Sequence, residues 1–529
     1  MSKHLPNIII IVADEMRGDV INNSFVQTPN IDSIADDGVV FTNNFSVNPV
    51  CAPSRICTFT GQYPHNGGHR SLYQLLRPHD ENLFKKLKEH GYNVIWIGRN
   101  DLFHEDAIKK SVSERIPSSE IMMRKIGKEI SRNIGKVKTL RMFRDLSSIL
   151  NDKKSLEELK EAIIPYIKLN PYPFDHPLRK SFYYGEKTKL QAEYDFDKVI
   201  MEEALKYLDK YSKTKQDKPL CLYIAFANPH PPYTVEEPYF SMYDREKVPL
   251  LSHESKGTFN YDDKPMFMKL LREHYGLDKL TDEDFREIRA VYYGMISKLD
   301  SQIGQILNKM KEIEIYEKTA IIFFADHGDY AGSYGLTEKW PTGMQDCLLN
   351  VPLIVKLPGV KSSAKLSDQL TQTIDIFPTL LEIAQIDTPY THFGKSLIPI
   401  MKGEVESHRN VVFAEGGYDP REPQAFEEIV DSPENPFTGI YYDKTNIPVA
   451  KPEVSCRTAM IRTKEWKLVI RSMPETKEEL YNLQEDPNEL VNLIEVPDYT
   501  DKIRELKDKL LYWYLKTSDN PHWEHKRES

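Results

Sequence analysis

Cysteine is scarce in this chain, long apolar runs are missing, and positive charge is outweighed by negative. The five cysteines, Cys51, Cys57, Cys221, Cys347 and Cys456, are odd in number and scattered over 529 residues. No two form a Cys-x-x-Cys pair, which argues against a thiolate zinc site, a dithiol redox motif and a disulfide framework alike. Lysine and arginine total 70 against 80 aspartate and glutamate, a formal net charge of -10. That balance disfavours a nucleic-acid partner, and any bound anion must be met by positive charge gathered locally. The apolar stretch Ile8 to Ala13 is too short to cross a membrane. It runs straight into Asp14 and Glu15 without the small-residue cleavage site of a signal peptide. The expectation is no membrane association and a cytoplasmic location as the chain stands, periplasmic or secreted had a signal been removed. Repeats and low-complexity segments are absent, so repeat architectures are not indicated.

What is present fits a large α/β domain followed by a smaller one, since 529 residues exceed one ordinary core. Hydrophobic residues at 40% and charged residues at 28% match a soluble globular protein. Ile8 to Ala13 is mostly β-branched, the pattern of a strand buried on both faces of a parallel sheet. Tyr92 to Ile97, Leu222 to Ala227 and Ala320 to Ala325 repeat it. Each run ends in a polar cluster: Asp14-Glu15, Gly98-Arg99-Asn100-Asp101, Asn228-Pro229-His230 and Asp326-His327-Gly328. Open α/β sheets bind ligands at their carboxyl edge, so a single site along that edge is expected. Helical patterns over 82–90, 197–211 and 284–313 lie between the runs. The Lys-, Arg- and Glu-rich stretch 105–188 reads as a helical insertion over or beside the site. Segments 228–265 and 415–454 read as long loops. The predicted organisation is a catalytic domain over 1–404 with a mixed, mainly parallel sheet flanked by helices. A C-terminal α+β subdomain over 405–529 follows, with strands within Met460–Ile470 and a terminal helix from Thr500 to Leu515.

Asp14 and Glu15 at one strand end, and Asp326 with His327 at another, are candidate metal ligands. One aspartate at a strand end is more often an N-cap or a turn residue, but two such pairs on one sheet argue for a shared ion. Carboxylate oxygens suit calcium, magnesium or manganese, and one imidazole nitrogen is compatible with them. A second signal is Cys51-Ala52-Pro53-Ser54-Arg55-Ile56-Cys57-Thr58-Phe59-Thr60-Gly61. Pro53 suits a first helical turn, where its missing N–H costs nothing. Cys51 is thereby placed near a helix N-terminus, where free N–H groups and the helix dipole favour an anion. Arg55, one turn on, adds a planar cation. The arrangement suits a tetrahedral oxyanion such as sulfate or phosphate. Cys51 itself is either a buried small apolar side chain or a low-pKa thiolate nucleophile.

The pattern Cys-x-Pro-Ser-Arg, then four residues, then Thr-Gly resembles the first signature of the type I, formylglycine-dependent sulfatases of the alkaline phosphatase superfamily. Other segments resemble that family in chain order. Pro6-Asn7 to Asp14 is similar to its first metal-binding strand, and Gly91-Tyr92 to Gly98-Arg99 to its second signature. Pro229-His230-Pro231-Pro232-Tyr233 is similar to its Pro-His motif, and Asp326-His327-Gly328 with Lys339 to its second metal pair and sulfate-binding lysine. Glu479 to Leu483, with Asp486-Pro487 and Asn492-Leu493, is similar to its C-terminal subdomain. The likeness spans nearly the whole chain and is weakest over 105–188.

The resemblance implies an alkaline-phosphatase-like fold and hydrolysis of a sulfate ester, by family analogy that of a small sulfated saccharide. It implies that a formylglycine-generating maturation enzyme converts Cys51 to formylglycine (3-oxoalanine), whose hydrate attacks sulfur. One divalent metal, calcium with magnesium or manganese as alternatives, is implied on Asp14, Glu15, Cys51, Asp326 and His327. Arg55 would steady the hydrate. His230 and Lys339 would contact the sulfate and its bridging oxygen, with His230, near its ordinary pKa, protonating the leaving alcohol. Two departures stand out. Glu15 occupies a position that is often a second aspartate. The second signature, usually Gly-Lys followed closely by His, reads Gly98-Arg99-Asn100-Asp101, with His104 further on. Spacing favours Asp101 over His104 as the group that helps sulfate leave. The alternative within the same superfamily is a phosphonate monoester or phosphodiester hydrolase.

Overall fold

Strand β1 (Asn7–Asp14) has no polar side chain between Ile8 and Ala13, and all six of those residues are fully buried. The computed structural model describes residues 5–134, 165–173, 175–249, 259–360, 365–387, 390–419, 421 and 441–518. In it β1 is the inner strand of an eight-stranded sheet. The others are β2 (Val39–Phe41), β3 (Asn93–Gly98), β4 (Glu114–Ile116), β5 (Leu220–Pro229), β6 (Thr319–Ala325), β7 (Leu353–Lys356) and β8 (Leu366–Ser367). Their order across the sheet is β8-β2-β7-β6-β1-β5-β3-β4. β1 runs parallel to both neighbours, β5 and β6, and β3 runs parallel to β5 and β4. Only β7 is antiparallel to its partners β6 and β2. The sheet is therefore mixed and mainly parallel.

The two-residue period of the strands separates two apolar layers. Ile9, Ile11 and Ala13 face the layer of helices Phe196–Ser212 and Asp282–Glu312, whose Ile200, Ala204, Ile288 and Val291 belong to the same cluster. Ile8, Ile10 and Val12 face the other layer. That layer is built from α1 (Cys51–Thr60) and the helices Leu83–Glu89 and Ile376–Ile383, through Ile56, Phe59, Phe84 and Phe377. Parallel strands buried on both faces need such cover on each side.

The stretch 105–188 is not helical throughout. Helices Glu105–Ser111 and Ser118–Ile134 bracket β4, which extends the main sheet by pairing in parallel with β3. Tyr183–Lys187 is also a strand, parallel to Tyr233–Glu236. Charge runs hid these short strands, because an edge strand need not be apolar. Residues 135–164 of the stretch lie outside the described residues, as do 250–258, 420 and 422–440 of the expected loops.

A second sheet joins β9 (Val412–Gly416), β10 (Thr458–Arg462), β11 (Trp466–Arg471) and β12 (Glu479–Asn482), antiparallel at each step. Ala459 and Ile461 pack with Leu506, Leu510 and Trp513 of the last helix, Thr500–Thr517, while Met460 faces Met344 and Leu349. Glu415 of β9 fastens this sheet to the segment that follows α1 and to the last helix. Its carboxylate meets His65 Nδ1 at 2.9 Å, Arg70 at 3.3 Å and the Tyr514 hydroxyl at 2.6 Å. Among the described residues no helix is long and apolar enough to cross a membrane.

Burial alone raises the Glu415 pKa, but Arg70, His65 and Tyr514 more than offset it and hold the carboxyl at about 2. A depressed carboxylate stabilises the fold above its unfolded pKa, and that contribution is lost as pH falls towards the folded value. Glu415→Ala leaves the Arg70 charge without its buried partner and is expected to cost about 3–5 kcal/mol at neutral pH. Urea unfolding of wild type and variant checks this, with the gap narrowing from about pH 4.5 downwards.

Candidate active site

Strand register decides which residues meet. Ala13 lies opposite Ala325, Asp14 opposite Pro229, and Gly98 opposite Ala225. The polar clusters that follow β1, β3, β5 and β6 therefore share one stretch of the carboxyl edge. Helix α1 is aimed at the same place. Val50 is extended, the helix begins at Cys51, and Gly61, left-handed at φ 69°, ends it.

Cys51 Sγ lies 3.1 Å from His327 Nε2 and 3.5 Å from Asp14 Oδ1. Ligand atoms of Asp14, Cys51, Asp326 and His327 all fall within 4.8 Å of one another, and all four residues are buried. The Nδ1 of His327 is 2.9 Å from the Gly328 carbonyl, so Nδ1 carries the proton and the Nε2 lone pair faces the cluster. Asp326 Oδ1 accepts the backbone N–H groups of Glu15 and His327 at 3.1 and 2.9 Å.

Arg55 sits one turn along α1. Its Nε donates to Asp326 Oδ2 at 2.7 Å, and its terminal nitrogens meet Asp14 at 2.9 Å and Asp101 at 3.5 Å. Burial opposes this charge, and Asp326 and Asp14 more than offset it. Arg99 adds a second cation, 2.6 Å from Asp14 and 2.8 Å from Asp101. Asp101 is thus held among the site's arginines. His104 is exposed and caps the helix Glu105–Ser111, with its backbone N–H on the Leu76 carbonyl. Of the two, Asp101 is the one that lies beside Arg55 and Arg99.

Glu15 takes a different place from the one expected. Its φ of 66° is left-handed, costly for a residue with a Cβ. The turn is held by Asp326 on its N–H and by the Tyr292 hydroxyl, which donates to its carbonyl at 2.9 Å. Its Oε2 accepts from Lys339 Nζ at 2.7 Å, and it groups with Asp14 and His230 instead of with Cys51. Its Oε1 is buried with no hydrogen-bond partner among the described residues. Two carboxylates around an imidazole lone pair, with an orphaned carboxylate oxygen alongside, fit a hard divalent cation.

Lys339 stands between Glu15 and Glu338, 2.7 Å from each, and 2.9 Å from His230 Nε2. His230 Nδ1 lies 2.6 Å from the Pro231 carbonyl. Burial, then Lys339 and Arg99, hold the imidazole well below its ordinary pKa. His230 is therefore neutral, not poised near pH 7 as its type suggested. Cys51 also departs from one reading of its motif. Burial, then the Asp14 carboxylate, push its thiol well above the usual range, so the helix N-terminus does not make it a ready thiolate.

Three contributors were missed in the sequence. Glu338 neutralises Lys339 and Lys444 together. Tyr233 accepts the Glu338 N–H at 2.9 Å and donates to Asp329 Oδ1 at 2.7 Å, fixing the lysine loop. Asp197 accepts the N–H groups of Ala227 and Asn228, both at 2.7 Å, just before His230. An acid in a first helical turn reads as a cap, and only the fold shows that it serves another strand. A cavity of about 1080 Å³ at the amino ends of β1 and β5, lined by Asn7, Pro219 and Leu357, includes none of these groups.

A family model described as Sulfatase matches residues 6–386, and one described as N-sulphoglucosamine sulphohydrolase, C-terminal, matches residues 422–515. The chain is 26% identical over 542 residues to the multifunctional alkaline phosphatase superfamily protein PehA of Trinickia caryophylli, covering 97% of this chain and 96% of that one. It is 24% identical over 521 residues to arylsulfatase K of Gallus gallus, covering 96% and 82%. The phosphonate monoester hydrolase of Agrobacterium radiobacter shares the fold, with a TM-score of 0.71 at 24% identity over 98% and 97% of the two chains. With the first family model spanning residues 6–386 of 529, the chain belongs to the sulfatase family of the alkaline phosphatase superfamily and is a sulfuric ester hydrolase.

Proposed function

We propose that the protein removes sulfate from a sulfated saccharide, using formylglycine made from Cys51 and a divalent cation held by Asp14, Asp326, His327 and Glu15. The observation that carries this reading is the position of Cys51. It begins a helix, faces the His327 lone pair at 3.1 Å, and lies beside the two carboxylates that Arg55 bridges. Formylglycine hydrate supplies an oxygen nucleophile for sulfur, and the cation supplies positive charge for the sulfate oxygens and acidifies that nucleophile. Mostly oxygen donors favour calcium, with magnesium and manganese as alternatives. The saccharide assignment draws on the C-terminal match to the N-sulphoglucosamine sulphohydrolase model.

The chain's own groups then have distinct tasks. Arg55 fixes Asp14 and Asp326, and Arg99 and Lys339 stabilise charge on the transferring group. The leaving alcohol takes its proton from the Lys339–His230 pair, in which the lysine holds the proton at rest. Asp101 is the base that takes up the hydroxyl proton when sulfate departs. A second reading, phosphonate monoester or phosphodiester hydrolysis, draws on the likeness to the phosphonate monoester hydrolase of Agrobacterium radiobacter and on the Arg99–Asp101 pair in place of lysine and histidine.

Peptide mass spectrometry of protein made in its native host is expected to show the CH2SH-to-CHO change at Cys51, and an unmodified thiol sinks the formylglycine mechanism. Rates on 4-nitrophenyl sulfate and on a 4-nitrophenyl phosphonate monoester are expected to favour the sulfate, and the reverse order selects the second reading. Chelation is expected to abolish turnover and lower the melting temperature, with calcium restoring both better than magnesium or manganese. Asp101→Asn should lower steady-state turnover about 10²–10⁴-fold while a single-turnover burst of alcohol survives. Loss of the burst along with the steady state places Asp101 before alcohol release instead.

A further inference from the structure

A cavity of about 360 Å³ opens beside Arg99 and His230. That size lies at the lower end of small-ligand sites, about 300–1,000 Å³. Its lining includes Tyr166 and Tyr194, packed edge to face at 5.1 Å, which give it an aromatic wall suited to an apolar sugar face. Its charged groups are nearly all committed elsewhere. Arg99 is bound by Asp14 and Asp101. Lys187 pairs with Asp195 at 2.5 Å, and Asp195 is shared with Lys298 at 3.1 Å. Asp197 is spent on two backbone N–H groups. His230 is neutral.

Lys168 is the exception. It lines the same cavity, is half-buried, and forms no ion pair with any described carboxylate. Burial disfavours its charge, Glu186 offsets this only in part, and Lys187 adds a smaller unfavourable contribution. A half-buried cation that no described carboxylate pairs with, in the cavity that adjoins the reacting centre, is completed when a ligand brings negative charge.

We propose that Lys168 binds a second anionic group of the substrate, a carboxylate or a further sulfate, so that the preferred substrate is a sulfated sugar carrying two anions. This deepens the saccharide reading above and rests on it. The matching charge sits on the sugar and not on the leaving sulfate, so Lys168 sets specificity and does not take part in the chemistry.

The test compares three sulfated substrates with the scissile sulfate in one position: a neutral sugar, the corresponding uronic acid, and the same neutral sugar with one more sulfate. Wild type, Lys168→Met and Lys168→Arg are each assayed. Wild type is expected to prefer at least one doubly charged substrate. Lys168→Met is expected to lower kcat/KM on it by about 10–100-fold, the scale of a charge-assisted hydrogen bond, with less than about twofold change on the neutral one. Lys168→Arg should restore most of the loss. The substrate that shows the loss identifies the group as carboxylate or sulfate. Equal loss on all three substrates, or no loss on any, overturns the proposal. Binding of an unsulfated uronic acid and its neutral sugar, followed by NMR titration of wild type and Lys168→Met, reads the carboxylate site without turnover. If wild type hydrolyses no sulfated sugar, the saccharide reading has failed, and the titration still decides whether Lys168 holds a carboxylate. A uronate preference lost in Lys168→Met supports the site, and equal binding by both proteins overturns it.

Discussion

Two carboxylates, Asp14 and Asp326, close adjacent parallel strands where both side chains are fully buried, and Arg55 touches both. Burial raises the pKa of Asp326, and Arg55 more than offsets it and holds that carboxyl below its usual range. The guanidinium can do so because its planar fork serves two acceptors at once and stays charged under any ordinary condition. Everything else at the site inherits that arrangement. The His327 lone pair, the turn at Glu15 and the start of helix α1 are all referred to oxygens whose positions Arg55 sets. Ser54 adds to the same tie by donating its hydroxyl to the Asp326 carbonyl at 2.6 Å.

Around this centre, positive charge is balanced pair by pair. Arg99 is matched by Asp14 and Asp101, and Lys339 by Glu15 and Glu338. A chain of net charge -10 can therefore place cations beside a reacting group without a broad basic surface. The pairing also explains the neutral state of His230. A lysine ammonium 2.9 Å from its Nε2 leaves no room for a second proton. Proton transfer at this site is accordingly a property of the pair and not of either residue.

Much of the fold was legible because buried parallel strands have a plain signature. The runs at Ile8, Tyr92, Leu222 and Ala320 each lie within one or two residues of strands β1, β3, β5 and β6. Their polar ends could be read as one edge for the same reason. Strand β4, Glu-Arg-Ile, carries no such pattern, since an edge strand is half solvated. At the site, residue types and spacing pointed to the cysteine, the arginine and the strand-end acids. They could not show that Glu15 meets Lys339 beside His230, because that depends on a left-handed backbone held by Tyr292 from a distant helix. Nor could they show the part of Asp197, whose partners lie 30 and 31 residues away.

All ten residues of helix Cys51–Thr60 are buried. No second protein can grasp such a segment in the finished fold, so any enzyme that acts on Cys51 must meet it while the chain is still open. The order of strands provides that interval. β1 is made first but sits between β5 and β6, and the His327 that covers Cys51 lies 276 residues later in the chain. At about 5–20 residues per second of synthesis, Cys51 waits on the order of tens of seconds before its cover exists. On the proposed role of Cys51, a residue encoded early and enclosed late gives the timing of translation a hand in how much of the protein is ever active.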